Sequence, residues 1–133
     1  MAFKRCASND GAQSPFEYLL LTDNEGATLG EALVQISGRL TKCGATVMPE
    51  FIAMQSRTAE STSVKPLAVV RINDQTEYET QSMATVAATL VGNKVTLHTD
   101  GLLVTATATS GNFKVSATNG ATTTSTVRGY FKA

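Results

Sequence analysis

The chain has 133 residues, a length typical of one domain with a single hydrophobic core. The chain has eleven basic residues (lysine and arginine) and eleven acidic residues (aspartate and glutamate), so its formal net charge is zero. This balance gives no sign of a basic surface for binding nucleic acid or an anionic membrane. No apolar run is long enough to span a bilayer, and the first residues lack the apolar core of a signal peptide, so we expect synthesis in the cytoplasm.

The N-terminal residues predict a flexible arm, residues 1–15, ahead of a single β-rich domain at residues 16–133. Residues 6–15 are mostly turn formers and show no apolar periodicity. Because such a segment has no apolar face to bury, we expect that it contributes little to the core and can be removed without unfolding it. Regular structure is expected to begin at Phe16.

Short apolar or alternating runs between turn formers predict a series of strands. Ser37-Gly38 separates two of these runs and predicts a hairpin. Thr28 and Glu31 match a helical capping box, but the apolar run that follows is too short for a helix, so the hairpin is favoured. The predicted strands of this part are residues 16–21, 32–36, 39–43, 50–55, 67–72 and 76–80.

One segment has helical spacing, because four apolar residues fall at i, i+3, i+4 and i+7. Ser82 can cap the start of this helix, and Gly92 can end it in a left-handed conformation. The pattern therefore predicts one short helix. The four apolar residues are Met83, Val86, Ala87 and Leu90.

The last third of the chain alternates most clearly. Residues 94–98 and 102–109 flank Asp100-Gly101, which predicts a hairpin with a type I′ turn. Further strands are predicted at 112–118, where Ala117 should share a face with the two apolar residues before it, and at 126–132. Every second residue of these strands should face the core. The inward residues are Val95, Leu97, Val104, Phe113, Val115, Val127 and Phe131.

Together these patterns predict a mostly β fold. We expect a small β-barrel or sandwich with one short helix and a flexible N-terminal arm. Twenty threonines, a β-branched residue type, also favour strands.

The sequence offers little for catalysis. The single histidine, His98, precedes a tight turn and has no partner, so we expect a surface residue. Cys6 and Cys43 are expected to be free thiols, because the cytoplasm is reducing, and we expect neither to have a reactive role. We therefore predict no catalytic, cofactor or metal site, and a protein that is not an enzyme.

Asp74, Glu77 and Glu79 form the densest acidic cluster. They could ligate a hard cation. The favoured interpretation is a charged edge strand that discourages unwanted pairing with other strands.

Four segments carry a resemblance to a known family. They are Gly30–Leu40, Pro49–Met54, Leu67–Thr80 and Gly92–Thr107. In their residue types, and in the order of elements over residues 16–131, they resemble the small head decoration (cement) proteins of tailed bacteriophages. These are a group of trimeric, β-rich capsid-binding proteins. The loop at residues 119–125 has no place in that pattern.

The resemblance implies a structural virion protein on the capsid exterior, where it would stabilise the lattice. It implies the major capsid protein as partner, a homotrimer, no cofactor, and no nucleic acid or membrane partner. Arm residues would contact the capsid, with Phe3 and Phe16 as apolar anchors and Lys4 and Arg5 pairing with carboxylates.

A second hypothesis is a β-sandwich binding module of a phage head or tail fibre that recognises a host-surface ligand. Exposed aromatic residues on a concave face would favour this hypothesis. The tyrosines available for such a face are Tyr18, Tyr78 and Tyr130.

Overall fold

A computed structural model describes residues 3–9, 11, 14–121 and 124–132. These residues form a mostly β structure, about 42% strand, which confirms the predicted class. They form no closed barrel. The strands in chain order are β1 (Lys4–Ser8), β2 (Phe16–Leu19), β3 (Ala32–Ile36), β4 (Arg39–Lys42), β5 (Phe51–Ala53), β6 (Leu67–Arg71), β7 (Thr76–Gln81), β8 (Lys94–Val95), β9 (Phe113–Thr118) and β10 (Thr126–Phe131).

The strands make two antiparallel five-stranded sheets. Sheet 1 has the order β1-β7-β10-β9-β8, and sheet 2 has the order β2-β6-β5-β3-β4. The chain enters sheet 1 with β1, builds sheet 2 with β2 to β6, and returns to sheet 1 from β7 onward. Sheet 1 therefore contains both ends of the described chain.

The main hydrophobic cluster takes side chains from both sheets. Sheet 2 contributes Ala32, Ile52 and Val70, and sheet 1 contributes Tyr78 and the predicted inward residues. All seven of those residues are at most 1% exposed, so their predicted inward orientation is confirmed.

Sheet 2 is buried on its other face as well. Alternate residues of its strands, including Leu33 and Phe51, form a second cluster with Leu21 and Ala27 from the segment after β2. Backbone hydrogen bonds between Ala27 and Arg57 tie that segment to the loop after β5. Burial on both faces explains why β5, β6 and the start of β3 are continuous apolar runs, whereas the outer strands β2 and β4 alternate.

The predicted boundary at residue 16 does not hold for residues 3–9. Strand β1 pairs with β7 at the edge of sheet 1, and the Phe3 side chain is 2% exposed in the core. The Phe3 ring centroid lies 4.9 Å from that of Phe131 and 5.6 Å from that of Phe113. A register shift between Arg5 and Ala7 interrupts the alternation of β1, so the sequence shows no strand period there.

The predicted helix is wrong. Its segment contains only a 3-10 turn at Ala88–Leu90, and Met83 is half exposed while Val86 is fully buried. The Ser82 amide donates to the Ser125 carbonyl, and the Met83 amide donates to the carbonyl of Val104 in the neighbouring segment. These long-range hydrogen bonds keep the start of the segment extended, against its helical periodicity.

One predicted turn is confirmed and the other is corrected. Ser37 and Gly38 have φ values of 51° and 81°, as a type I′ turn between β3 and β4 requires. At the later turn only Gly101 has a positive φ, of 72°, and its amide donates to the His98 carbonyl. The central residues are thus Thr99 and Asp100, and the type I′ assignment is wrong there.

Two further details of register differ from the prediction. The returning segment 102–109 is not a strand and pairs with Leu97 only through a bridge at Val104. Ala117 is exposed because β9 and β10 shift register between Arg128 and Gly129. A bulge of this kind moves the residues beyond it to the opposite face of the sheet.

Candidate contact surface

The four residues predicted to contact a capsid lie in different environments. Phe3 is in the core, so its ring offers no surface to a partner while β1 remains paired. Phe16, on β2, is 49% exposed. Of the two predicted aromatic anchors, only Phe16 is available at the surface.

The two basic residues of the predicted arm have partners within the chain. Lys4 Nζ lies 3.2 Å from Glu79 Oε2. The Arg5 guanidinium donates a 3.3 Å hydrogen bond to the Ser14 carbonyl. Lys4 remains well exposed, whereas Arg5 is half-buried and links β1 to the start of β2.

Strand β2 carries the most exposed aromatic surface. Phe16 lies opposite Val70, and Tyr18 lies opposite Ala68, in the antiparallel pairing with β6. Residues directly opposite share a face of the sheet, and Val70 belongs to the cluster between the sheets. Phe16 and Tyr18 therefore project from the core-facing side of sheet 2, yet they are 49% and 65% exposed. We name these two residues the β2 aromatic edge.

The other face of β2 is fixed to its neighbour. The Arg71 guanidinium donates two hydrogen bonds, of 3.0 and 2.9 Å, to the carboxylate of Glu17. The guanidinium also lies 4.8 Å from the ring centroid of Phe51. The hydrogen bonds to Glu17 raise the pKa of Arg71 further above its usual range, so the guanidinium stays protonated. This bidentate contact holds β2 in register and presents the β2 aromatic edge on a fixed backbone.

The acidic cluster of Asp74, Glu77 and Glu79 does not occupy an edge strand, so the prediction of a charged edge strand that discourages unwanted pairing is wrong. Strand β7, which carries Glu77 and Glu79, lies between β1 and β10. Hydrogen bonds from Arg128 and Lys4 lower the pKa of Glu79, and Glu77 accepts a 2.7 Å hydrogen bond from the Ser116 hydroxyl. Within the described residues, no group of three or more His, Cys, Asp or Glu is placed to hold a metal ion.

The two thiols are free, as predicted, and both are poor nucleophiles near neutral pH. Cys43 is buried in the main cluster, and Cys6 is exposed on β1. Burial is the largest cause that raises the pKa of each thiol to about 11, and for Cys6 the nearby carboxylate of Glu77 adds to it. Both thiols therefore remain protonated at neutral pH. His98 is partly exposed, with Nδ1 3.2 Å from Asp100 Oδ1.

The three tyrosines do not form a common face. Tyr78 is 1% exposed in the core, and Tyr130 lies on sheet 1, where its hydroxyl hydrogen bonds with the Asn9 side chain. Of the three tyrosines, only Tyr18 is largely exposed. The concave aromatic face that would favour a host-ligand module is thus not assembled from these residues. The predicted strand at residues 16–21 places Tyr18 on the same face as Phe16, but no sequence pattern indicated that this face would lie at an open edge.

Comparisons with protein-family models, with curated proteins and with solved structures find no match to this chain. Within the described ranges, no helix has the length and apolar character needed to cross a membrane.

Proposed function

We propose that this protein is a structural virion protein that binds the outside of a bacteriophage capsid and stabilises the lattice of the major capsid protein. The resemblance of its segments to phage decoration proteins supplies the class of partner. The observation that supports a binding role is the β2 aromatic edge. Aromatic side chains on a rigid backbone bury large areas at low entropic cost, which makes them frequent anchors of protein interfaces.

The free edge of β2 suggests how the partner is held. Among the described residues, strand β2 pairs only with β6, while Leu20 and Thr22 just beyond it hydrogen bond to Leu40 of β4. A strand from the capsid could therefore be added only along the outer edge of Phe16–Leu19. An added strand would hydrogen bond to the β2 backbone, and its side chains would cover Phe16 and Tyr18. The inner face of sheet 2 would then be covered at β2 as it is elsewhere.

The exposure of these two rings sets the expected magnitude. Full burial of a large apolar side chain is worth about 1.5–3 kcal/mol, and about half of each ring is still exposed. Covering both contributes roughly 2 kcal/mol, and about 1.4 kcal/mol corresponds to a tenfold change in affinity. Loss of the β2 aromatic edge should therefore weaken binding more than tenfold.

Attachment through β2 replaces attachment through a free arm. Contact through Phe3 would require β1 to leave sheet 1, which would remove Phe3 from the core. A homotrimer, as the resemblance implies, would present three β2 edges to the shell and multiply the apparent affinity through avidity. The mass of the protein in solution, measured by light scattering, distinguishes a trimer from a monomer.

The test uses purified protein and capsids of the phage that encodes it, assembled without it. Cosedimentation should show saturable binding by the unchanged chain, and a loss of about tenfold or more for a Phe16→Ser/Tyr18→Ser variant. A Val47→Ser/Met83→Ser variant is the matched control, because it removes two similarly exposed apolar side chains, and the Val47 carbonyl is bonded to Asn112 beside β9 and not to β2. Failure of the unchanged chain to bind would refute the capsid role. Equal binding by the two variants would mean that the contact surface is not at β2.

A further inference from the structure

The loop at residues 119–125, which has no place in the family pattern, begins with the dipeptide Asn119-Gly120. Of the six asparagines in the chain, Asn119 alone is followed by glycine. Both residues are exposed, and Gly120 has a φ of 64°. Among the described residues, none beyond its chain neighbours would lie within 4 Å of a Cβ built at Gly120. The main chain after Asn119 therefore has open space in which to rotate.

The Asn119 side chain is folded back over this peptide. Its Oδ1 accepts a 3.1 Å hydrogen bond from the amide of Ala121, two residues further on, which makes an Asx turn. The turn brings the side-chain carbonyl carbon, Cγ, toward the Gly120 nitrogen, because both atoms belong to the ring that the hydrogen bond closes. Oδ1 also accepts a 3.0 Å hydrogen bond from the amide of Thr126. Two backbone N–H groups thus hold one side-chain oxygen.

This arrangement suits the first step of asparagine deamidation. The Gly120 nitrogen loses its proton to water and attacks Cγ of Asn119, so that a C–N bond forms and negative charge develops on Oδ1. Backbone N–H groups that already point at this oxygen stabilise the tetrahedral intermediate, as in an oxyanion hole. The bond from Cγ to Nδ2 then breaks, water supplies a proton to the departing nitrogen, and ammonia leaves behind a succinimide ring.

Water completes the reaction by opening the succinimide at one of its two carbonyl groups. Cleavage of the bond from Cγ to the Gly120 nitrogen gives aspartate. Cleavage at the main-chain carbonyl gives isoaspartate, in which the main chain runs through the former side chain. The net reaction consumes one water, releases one ammonia and needs no oxidant or reductant. Either product adds one negative charge to a chain whose formal net charge is zero.

Asn73 forms the same turn but is followed by a larger residue. Its Oδ1 accepts hydrogen bonds from the amides of Gln75 and Thr76, at 2.9 and 3.0 Å. The attacking nitrogen would be that of Asp74, whose side chain crowds the approach, whereas glycine has no Cβ. Asn73 is therefore an internal comparison that differs from Asn119 in the following residue.

The dipeptide Asp100-Gly101 has the right residue after the turn, but it is enclosed. Asp100 Oδ1 accepts a 2.8 Å hydrogen bond from the Leu102 amide. A Cβ at Gly101 would lie 3.0 Å from the Ala32 carbonyl oxygen, so this main chain is packed against β3 and cannot rotate freely. A carboxylate is also a poorer electrophile than an amide. Open space and an amide side chain are combined at Asn119.

One hydrogen bond opposes the reaction. The Gly120 amide donates to Thr118 Oγ1 at 3.1 Å, so its proton is available to water only when this bond opens. Thr118 is the last residue of β9, and Gly120 is exposed. Hydrogen bonds at exposed strand ends open without global unfolding.

We propose that Asn119 is a site of spontaneous deamidation in the folded protein. The reaction needs only water, so it does not depend on the proposed function. Isoaspartate would add one methylene to the main chain where β9 ends, beside the hydrogen bond from the Asn119 amide to the Thr126 carbonyl. The protein would thus acquire with time a second form, with an extra carboxylate and a longer connection between β9 and β10.

The first arm of the test incubates the folded protein in mildly alkaline buffer, where the amide proton is lost faster, and follows tryptic peptides by tandem mass spectrometry. Trypsin cleaves after Lys114 and Arg128, so Asn119 lies in the peptide 115–128, which contains no other side-chain amide. We expect conversion of amide to carboxyl at Asn119 at least about tenfold faster than at Asn73, because glycine leaves the nitrogen open. Equal rates at the two residues, or no conversion at Asn119, would overturn the proposal.

The second arm separates the contributions of the dipeptide and the fold. Gly120→Ala should slow the conversion at least about tenfold, because its Cβ crowds the attacking nitrogen, while its melting temperature stays within a few degrees. An unchanged rate in this variant would contradict attack by the Gly120 nitrogen. A synthetic peptide of residues 115–128 reports the same dipeptide without the fold. A rate in the folded protein within about tenfold of the peptide's supports the proposal. Conversion in the peptide alone would show that the turn protects Asn119. Aspartate without isoaspartate would mean direct hydrolysis and would exclude the succinimide route.

Discussion

Replacement of Phe3 by alanine tests whether the N-terminal segment is part of the folded core. The Phe3 side chain is 2% exposed, and its ring centroid lies 4.9 and 5.6 Å from those of Phe131 and Phe113. Truncation of a buried phenylalanine to alanine costs about 3–5 kcal/mol, through lost burial and the cavity that remains. Because β1 is an edge strand that can relax into the cavity, we expect a loss near the lower figure, about 3 kcal/mol.

The assay is chemical and thermal unfolding of Phe3→Ala beside Phe16→Ala. For a chain of this length, about 3 kcal/mol corresponds to a fall in melting temperature of about 10 °C. Phe16 is the matched control, because it is the same residue type, thirteen positions later, but half exposed on β2. We expect Phe16→Ala to cost about 1 kcal/mol or less. Equal and small losses in the two variants would show that Phe3 is not packed in solution, and the segment would then be the free arm that its sequence suggests.

Two further substitution and pH experiments examine the packing. Gly129→Ala should lower the free energy of unfolding, measured with denaturant, by several kcal/mol, because the new Cβ would lie 2.2 Å from the Lys114 carbonyl oxygen. Gly120→Ala is the control. It has open space around it and should lower that free energy by only about 1 kcal/mol, because of its positive φ. If the two variants lose equal stability, the close approach of β9 to β10 is wrong. Burial raises the folded-state pKa of Cys43 to about 11 and that of Tyr78 to about 12. As the pH rises, these groups therefore ionise in the unfolded chain before they ionise in the folded one. The free energy of unfolding should be constant below about pH 9 and should fall above it. Cys43→Ala should make this fall less steep, and an unchanged slope would refute its assignment to the buried thiol.

The candidate contact surface was only partly predictable from the sequence. Phe16 was expected as a contact residue, but its partner in the β2 aromatic edge, Tyr18, appeared only as one of three tyrosines. Its exposure depends on which distant segments pack against β2, and no local pattern records that packing.

The sequence by itself determined the local features of this protein. Alternation placed Phe113, Val115 and Phe131 toward the core, and Ser37-Gly38 determined a tight hairpin, because side-chain direction and turn dihedrals depend on neighbouring residues. The tertiary structure decided the features that depend on distant contacts. Contacts with distant segments place the Phe3 side chain in the core. They also hold the segment that begins at Ser82 in an extended conformation, although its apolar residues have helical spacing. Backbone and packing energies between segments far apart in the chain exceed the weak local preferences there, and those energies cannot be read from a window of sequence.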